Sequence, residues 1–190
     1  MNRLYIFVRD NFYHRLMAFI AALLYGFPSR HLTVIGVTGT KGKSTTVELI
    51  AHILESAGKK VAVSSSVRNS DASGMTMLGC FKLQRLLYDA VARECEYAVV
   101  EVTSQGVVQS RHRFIKWAVA VFINLTPEHV EAHGGFENYR AAKIAFFEYA
   151  AKNPQAVFVI NKDDENADAF IRVAGNCKKS MFGRAPAPTS

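Results

Sequence analysis

The sequence predicts an α/β fold, a doubly wound and mostly parallel sheet with a P-loop, and three observations predict it. Short β-branched apolar runs alternate with stretches of helical period. A turn rich in glycine, threonine and lysine joins the first such run to a helix. The residues suited to chemistry fall at the carboxyl ends of predicted strands or in a helix close behind, where ligands sit in sheets of this kind.

Ahead of the first strand, Leu16 to Phe27 (LMAFIAALLYGF) is an apolar run. It is shorter than the roughly 20 residues a spanning helix needs, and Arg3, Arg9, Asp10, His14 and Arg15 precede it. Tyr25-Gly26-Phe27-Pro28 makes a poor signal-peptide cleavage site. Residues 1–30 therefore read as an amphipathic or apolar helical segment. It either packs on the domain or makes peripheral membrane contact through residues 1–27.

Leu32 to Val37 (LTVIGV) has the pattern of a strand buried on both faces. Ser44 to Ala57 reads as a helix, with Val47, Ile50, Ile53 and Leu54 on one face and Gly58 as its stop. Lys60 to Ser65 is a second strand, 66–80 a loop, and Phe81 to Glu94 a helix. Tyr97 to Val102 is a third strand and Ala118 to Asn124 a fourth. Phe136 to Lys152 is a long helix, Ala156 to Ile160 a fifth strand and Asp163 to Ala174 a further helix. Lys179 to Phe182 begins another strand.

Composition narrows the function. With 190 residues, 49% hydrophobic and 21% charged, the chain can bury one domain core and is not disordered. The net charge is +7, but the basic residues are scattered, the densest group being Arg111, His112, Arg113 and Lys116. No basic tract interleaved with aromatics appears, so nucleic acid is not an expected partner, and phosphate ligands account for the charge. Cys80, Cys95 and Cys177 are widely spaced, which points to reduced thiols in a cytoplasmic protein rather than a zinc knuckle or disulfide framework.

The chemistry begins at Gly39-Thr40-Lys41-Gly42-Lys43-Ser44-Thr45, between a buried strand and a helix. Glycines let backbone N–H groups turn around phosphate oxygens, and the helix N-terminus adds partial positive charge. Lys43 is placed for the β- and γ-phosphates, and the Ser44 hydroxyl for Mg²⁺. A strict Walker A pattern needs glycine at position 37, where this chain has Val37.

That departure is informative. TGTKGKSTT (38–46) is similar to the shorter loop of Mur ligases and folylpolyglutamate synthases, with Lys41 where many Mur ligases have Asn. EVTSQGVVQSR (101–111), NLTPEHVEAHG (124–134), YRAAKIAFF (139–147) and INKDDEN (160–166) follow in the order found in Mur ligases. They most resemble the members that add the third amino acid of the peptidoglycan peptide (MurE). The resemblance covers about residues 31–183, and several ordered motifs are far more specific than one.

The resemblance implies ATP and Mg²⁺ as cofactors, with a UDP-MurNAc-peptide and an amino acid as substrates. A substrate carboxylate takes the γ-phosphoryl group to give an acyl phosphate, which the amino-acid amine then attacks. Lys43, His129 and Lys143 are the implied catalytic residues. Glu101 ends a strand beside the loop, where a carboxylate can hold Mg²⁺ with Ser44. His129 matches a histidine serving a second Mg²⁺. Lys143 matches a lysine that is carbamylated, a reaction that needs the neutral amine. Ser104, Gln109 and Arg111 match positions near the sugar-peptide substrate, and Arg111 suits a carboxylate or phosphate. Gln105 and Glu128 replace the usual His and Asp.

On this reading, residues 31–190 are a Mur ligase central ATP-binding domain, with its C-terminal part and the C-terminal domain missing. The chain is expected to be a fragment or a truncated relative that binds nucleotide weakly and does not ligate unaided. Three rivals remain: a folylpolyglutamate synthase-like ligase, a non-catalytic membrane-associated nucleotide-binding module, and a nucleotide-switch ATPase.

Overall fold

The computed structural model describes residues 3–68, 76–127 and 134–184, with side chains from Phe12 onward. Helix α1 (Arg3–Leu24) leads through a 3-10 turn (Pro28–His31) into β1 (Thr33–Thr38). There follow α2 (Lys43–Ser56), β2 (Val61–Ser64), α3 (Cys80–Ala92), β3 (Tyr97–Glu101), α4 (Ser104–Val108) and β4 (Trp117–Phe122). The chain continues through α5 (Phe136–Ala150), β5 (Val157–Asn161), α6 (Ala167–Val173) and β6 (Lys178–Phe182).

The sheet has six strands in the order β2-β3-β1-β4-β5-β6, and every pairing is parallel. Alternation along each strand gives two faces. One face carries Val34, Ala98, Val100, Ala120, Phe122, Phe158 and Ile160 into a large core with Leu83, Leu87, Phe146, Phe147 and Phe170 of α3, α5 and α6. Phe122 stacks on Phe170 at 3.8 Å, and Trp117 meets Phe146 edge-on at 5.0 Å. The other face is thinner: Ile35, Val37, Val63, Val99 and Val121 pack on Val47 and Ala51 of α2. Val119 and Val159 on that face are only half-buried.

The expected strands are present with ends shifted by a residue or two. The first helix lies within the 1–30 helical segment, running from Arg3 to Leu24 and stopping where Gly26 and Phe27 take left-handed backbone (φ 68 and 53) before Pro28. One helical expectation is corrected. Helix α6 starts at Ala167 rather than 163, because the Asp164 carboxylate accepts the Asn166 and Leu125 amides and holds a turn there. Helix α4, which was not expected, is started by the Thr103 hydroxyl accepting the Gly106 amide at 3.0 Å.

Helix α1 buries Ala18, Ala21 and Ala22 and packs on α3. Its large side chains face outward: Phe12, Leu16, Phe19, Ile20, Leu23 and Leu24 are all exposed. Among the described residues, no helix is long and apolar enough to cross a membrane.

Candidate functional site

Strand order determines what meets at the top of the sheet. β1 lies between β3 and β4, with Val37 beside Glu101 and Thr38 beside Phe122. The loop after β1 is therefore flanked by the end of β3 on one side and the end of β4 on the other.

Gly42 closes the loop with φ 78, a left-handed conformation that glycine adopts without strain. As the N-cap of α2 it offers no capping side chain, and a helix N-terminus is where an anion is favoured. Gly39 is needed for a different reason: a Cβ there would lie 2.8 Å from Ile123 Cγ1. Val37, where a strict Walker A loop has glycine, is a fully buried strand residue packed among the β1–α2 contacts.

On the β3 side, Glu101 is 1% exposed. Its carboxylate accepts the Ser44 hydroxyl at 2.9 Å and the Ser66 amide at 3.1 Å, and Lys43 Nζ lies 3.9 Å away. The Ser44 and Ser66 hydroxyls are 2.6 Å apart. Ser66 comes close because β2 pairs with β3, so the chain leaving β2 passes the end of β3. Three side-chain oxygens and a lysine thus converge at the N-terminus of α2. Such a hard oxygen set fits Mg²⁺, which usually takes one or two carboxylates and completes its shell with water and phosphate. Among the described residues, no group of three or more His, Cys, Asp or Glu is placed to hold a metal ion.

On the β4 side, Asn124 accepts the Thr40 and Lys41 amides at 2.9 and 3.0 Å and donates to the Lys41 carbonyl at 3.1 Å. Tyr139 and Lys143, one helical turn apart on α5, reach the loop from below. The Tyr139 hydroxyl donates to Thr40 Oγ1 at 3.1 Å. Lys143 Nζ donates to the Gly39 carbonyl at 2.6 Å and sits 4.7 Å from the Tyr139 ring. Lys143 is 1% exposed. Burial first, then the charge of Lys43, lowers its pKa to about 7 against the opposing pull of Glu101. Near neutrality a large share of this amine is therefore uncharged and nucleophilic.

Gly39 through Thr45, Glu101 and Lys143 therefore meet at one place. Ser104 is buried at the start of α4, three residues beyond Glu101. Gln109 and Arg111 are turned to each other: the Arg111 guanidinium donates to Gln109 Oε1 and to the Met77 carbonyl. His129 lies outside the described residues, as do Glu128 and His133. Sequence reasoning gives Asn124 and Tyr139 no individual role and Ser66 only a place in the loop after the second strand. The available signal was position, since Asn124 and Ser66 each come two residues after a strand end.

Residues 37–186 match the family model for the Mur ligase middle domain. The chain is 37% identical over 163 residues to a UDP-N-acetylmuramoyl-L-alanyl-D-glutamate--2,6-diaminopimelate ligase of Syntrophomonas wolfei, covering 83% of this chain and 33% of that protein. It is 43% identical over 136 residues to a UDP-N-acetylmuramyl-tripeptide synthetase of Treponema pallidum, covering 67% and 25%. A solved diaminopimelate ligase superposes with a TM-score of 0.72 at 30% identity, covering 83% of this chain and 33% of that one. A folylpolyglutamate synthase complex with AMPPCP superposes at 0.60 with 16% identity, covering 93% and 53%, a likeness of fold alone. The chain spans about a third of the length of the ligases it matches. With residues 37–186 matching that model, this chain belongs to the Mur ligase family, through the family's middle domain.

Proposed function

We propose that this chain is the nucleotide-binding part of a cytoplasmic, ATP-dependent acid–amino acid ligase of peptidoglycan precursor synthesis. The reaction joins an amino acid to a UDP-MurNAc-peptide through an acyl phosphate. The observation that carries the reading is the convergence of Ser44, Ser66, Glu101 and Lys43 at the open N-terminus of α2, with Lys143 buried under the same loop.

The loop amides and the Lys43 ammonium bind and orient the β- and γ-phosphates. Ser44 and Glu101 are the residues that would hold Mg²⁺, which supplies charge neutralisation on the phosphates when bound. Lys143 as a neutral amine attacks CO₂; an N–C bond forms, one proton is released, and a carbamate replaces the cation. That carbamate, with His129, would serve a second metal. Ser104, Gln109 and Arg111 are assigned to the sugar-peptide side of the site. The same reading sets α1 against a membrane surface, lying on it rather than through it, because of its exposed apolar side chains.

The test is calorimetric titration of Mg²⁺ with a non-hydrolysable ATP analogue into the chain, beside Lys43→Ala and Glu101→Gln. Binding by the parent and loss in both variants is the expected result. Equal affinity in all three would end this reading of the loop.

A further inference from the structure

The end of the sheet opposite the phosphate loop holds an open cavity of about 390 Å³, walled by Phe27, Arg30, Phe114, Lys116, Tyr149 and Lys152. Lys116 directly precedes β4, Arg30 lies just before β1 and Lys152 just before β5, so the cations ring the amino ends of three adjacent strands. Aromatic faces hold two of them and a neighbour, Arg113: Arg30 lies 4.7 Å over Phe27, Lys152 5.2 Å over Tyr149, and Arg113 5.7 Å over the same Tyr149 ring. Arg15 of α1 joins the group, since its charge helps burial to lower the Arg113 pKa. Among the described residues, none of these five cations forms an ion pair with a carboxylate. Crowded like charges without an acid leave an unmet demand for an anion.

The apolar surface of α1 runs into this cavity. Phe12, Leu16, Phe19 and Leu23 recur at helical spacing and are exposed. Phe19 lies 5.2 Å from Phe114 and 6.4 Å from Phe27, both cavity-wall residues. Large apolar side chains beside a cluster of cations, on a helix that does not span, are the arrangement of an interfacial anchor on anionic lipid.

We propose that α1 and this basic cavity form one docking face for a bilayer rich in anionic lipid, with a lipid phosphate seated among Arg30, Lys116 and Lys152. The inference rests on the peripheral reading of α1 and adds to it the lipid class and the site that recognises it. It leaves the phosphate loop at the far end of the strands, facing away from the bilayer.

The test is co-sedimentation of the chain with vesicles of phosphatidylcholine alone and of phosphatidylcholine mixed with phosphatidylglycerol, at low and high salt. Two variants accompany it, Lys116→Gln/Lys152→Gln and Leu16→Asp/Leu23→Asp. All four side chains are exposed, and circular dichroism with a thermal midpoint confirms that each variant folds. The parent is expected to bind the anionic vesicles preferentially and to lose binding at high salt. The lysine variant should lose about 25-fold in partitioning, at roughly fivefold per cation. The leucine variant should lose binding to both vesicle types. Equal binding to neutral and anionic vesicles, or an unaffected lysine variant, overturns the lipid-phosphate site while leaving the helix contact standing. Absence of binding to any vesicle overturns both. A dimer in light scattering that the leucine variant dissolves would assign the face to a second copy and also overturn the proposal.

Discussion

Lys143 Nζ donates a 2.6 Å hydrogen bond to the Gly39 carbonyl, while Lys43 Nζ donates one of 2.8 Å to the adjacent Thr40 carbonyl. Two lysines from different helices thus hold consecutive carbonyls of one loop, one of them buried and the other half-buried. The buried one has a measurable consequence. Its pKa is about 7 in the folded chain against an ordinary lysine value of 10.5 when unfolded. Between those values the unfolded state carries a proton that the native state lacks, so stability rises with pH, by up to about 1.4 kcal/mol per pH unit. Below about 7 both states are protonated and the full cost of the buried charge is present. Lys143→Met should flatten this slope, read from urea midpoints across the window in metal-free buffer.

The same lysine should react with CO₂. Carbon-13 bicarbonate added near pH 8 should give a carbamate resonance in the parent that Lys143→Arg lacks. A resonance of equal size in both proteins would remove Lys143 from the second metal site.

Asn124 ties the loop to β4 through three hydrogen bonds. Asn124→Leu should cost about 2 kcal/mol of stability, because the Thr40 and Lys41 amides lose a partner. It should also weaken ATP-analogue binding, although Asn124 has no assigned contact with the nucleotide. Urea unfolding and calorimetry on the same preparation check both.

Gly39→Ala should cost about 1–3 kcal/mol, since its methyl group would press on the Ile123 side chain. Gly39→Ala/Ile123→Ala should recover part of that loss, and a double-mutant cycle from thermal midpoints measures it.

Much of the fold was legible because strands buried on both faces read as continuous apolar runs, which is why LTVIGV, YAVVEV and AVAVFIN announced themselves. The phosphate loop was legible for the same local reason, its residues being consecutive. The roles of Asn124 and Tyr139 were not, because their partners at Thr40 lie 84 and 99 residues away in sequence. Helix α4 escaped because Gly106 obscures its pattern, although Thr103 is an ordinary N-cap. Asp163 to Asn166 has a helical period but is held as a turn by the short polar side chains of Asn161 and Asp164, which accept the Asp163 and Asn166 amides.

His112 offers an acid-side counterpart. It is buried against Tyr149, ring centroids 5.1 Å apart, and burial, then Arg113 and Lys152, lower its pKa to about 3. From the ordinary histidine value of 6.5 downward, the unfolded chain takes a proton that the native site refuses, so stability falls as pH falls toward 3. His112→Phe keeps the ring and should remove up to about 3 kcal/mol of that loss between pH 6.5 and about pH 4, read from denaturant midpoints.

The place of β1 in the sheet also governs how this chain comes together. Its first strand in sequence is an inner strand in space, and its neighbours are β3 and β4. Thr33 waits for Tyr97, and Val34 for Trp117. No hairpin can shorten that wait in an all-parallel sheet. During synthesis, α1 and β1 emerge with their apolar side chains exposed well before their partners exist. Such late, long-range closure makes folding slow and leaves the early chain prone to self-association. The loop after β1, flanked by the ends of β3 and β4, takes its shape only once both of those strands have been made.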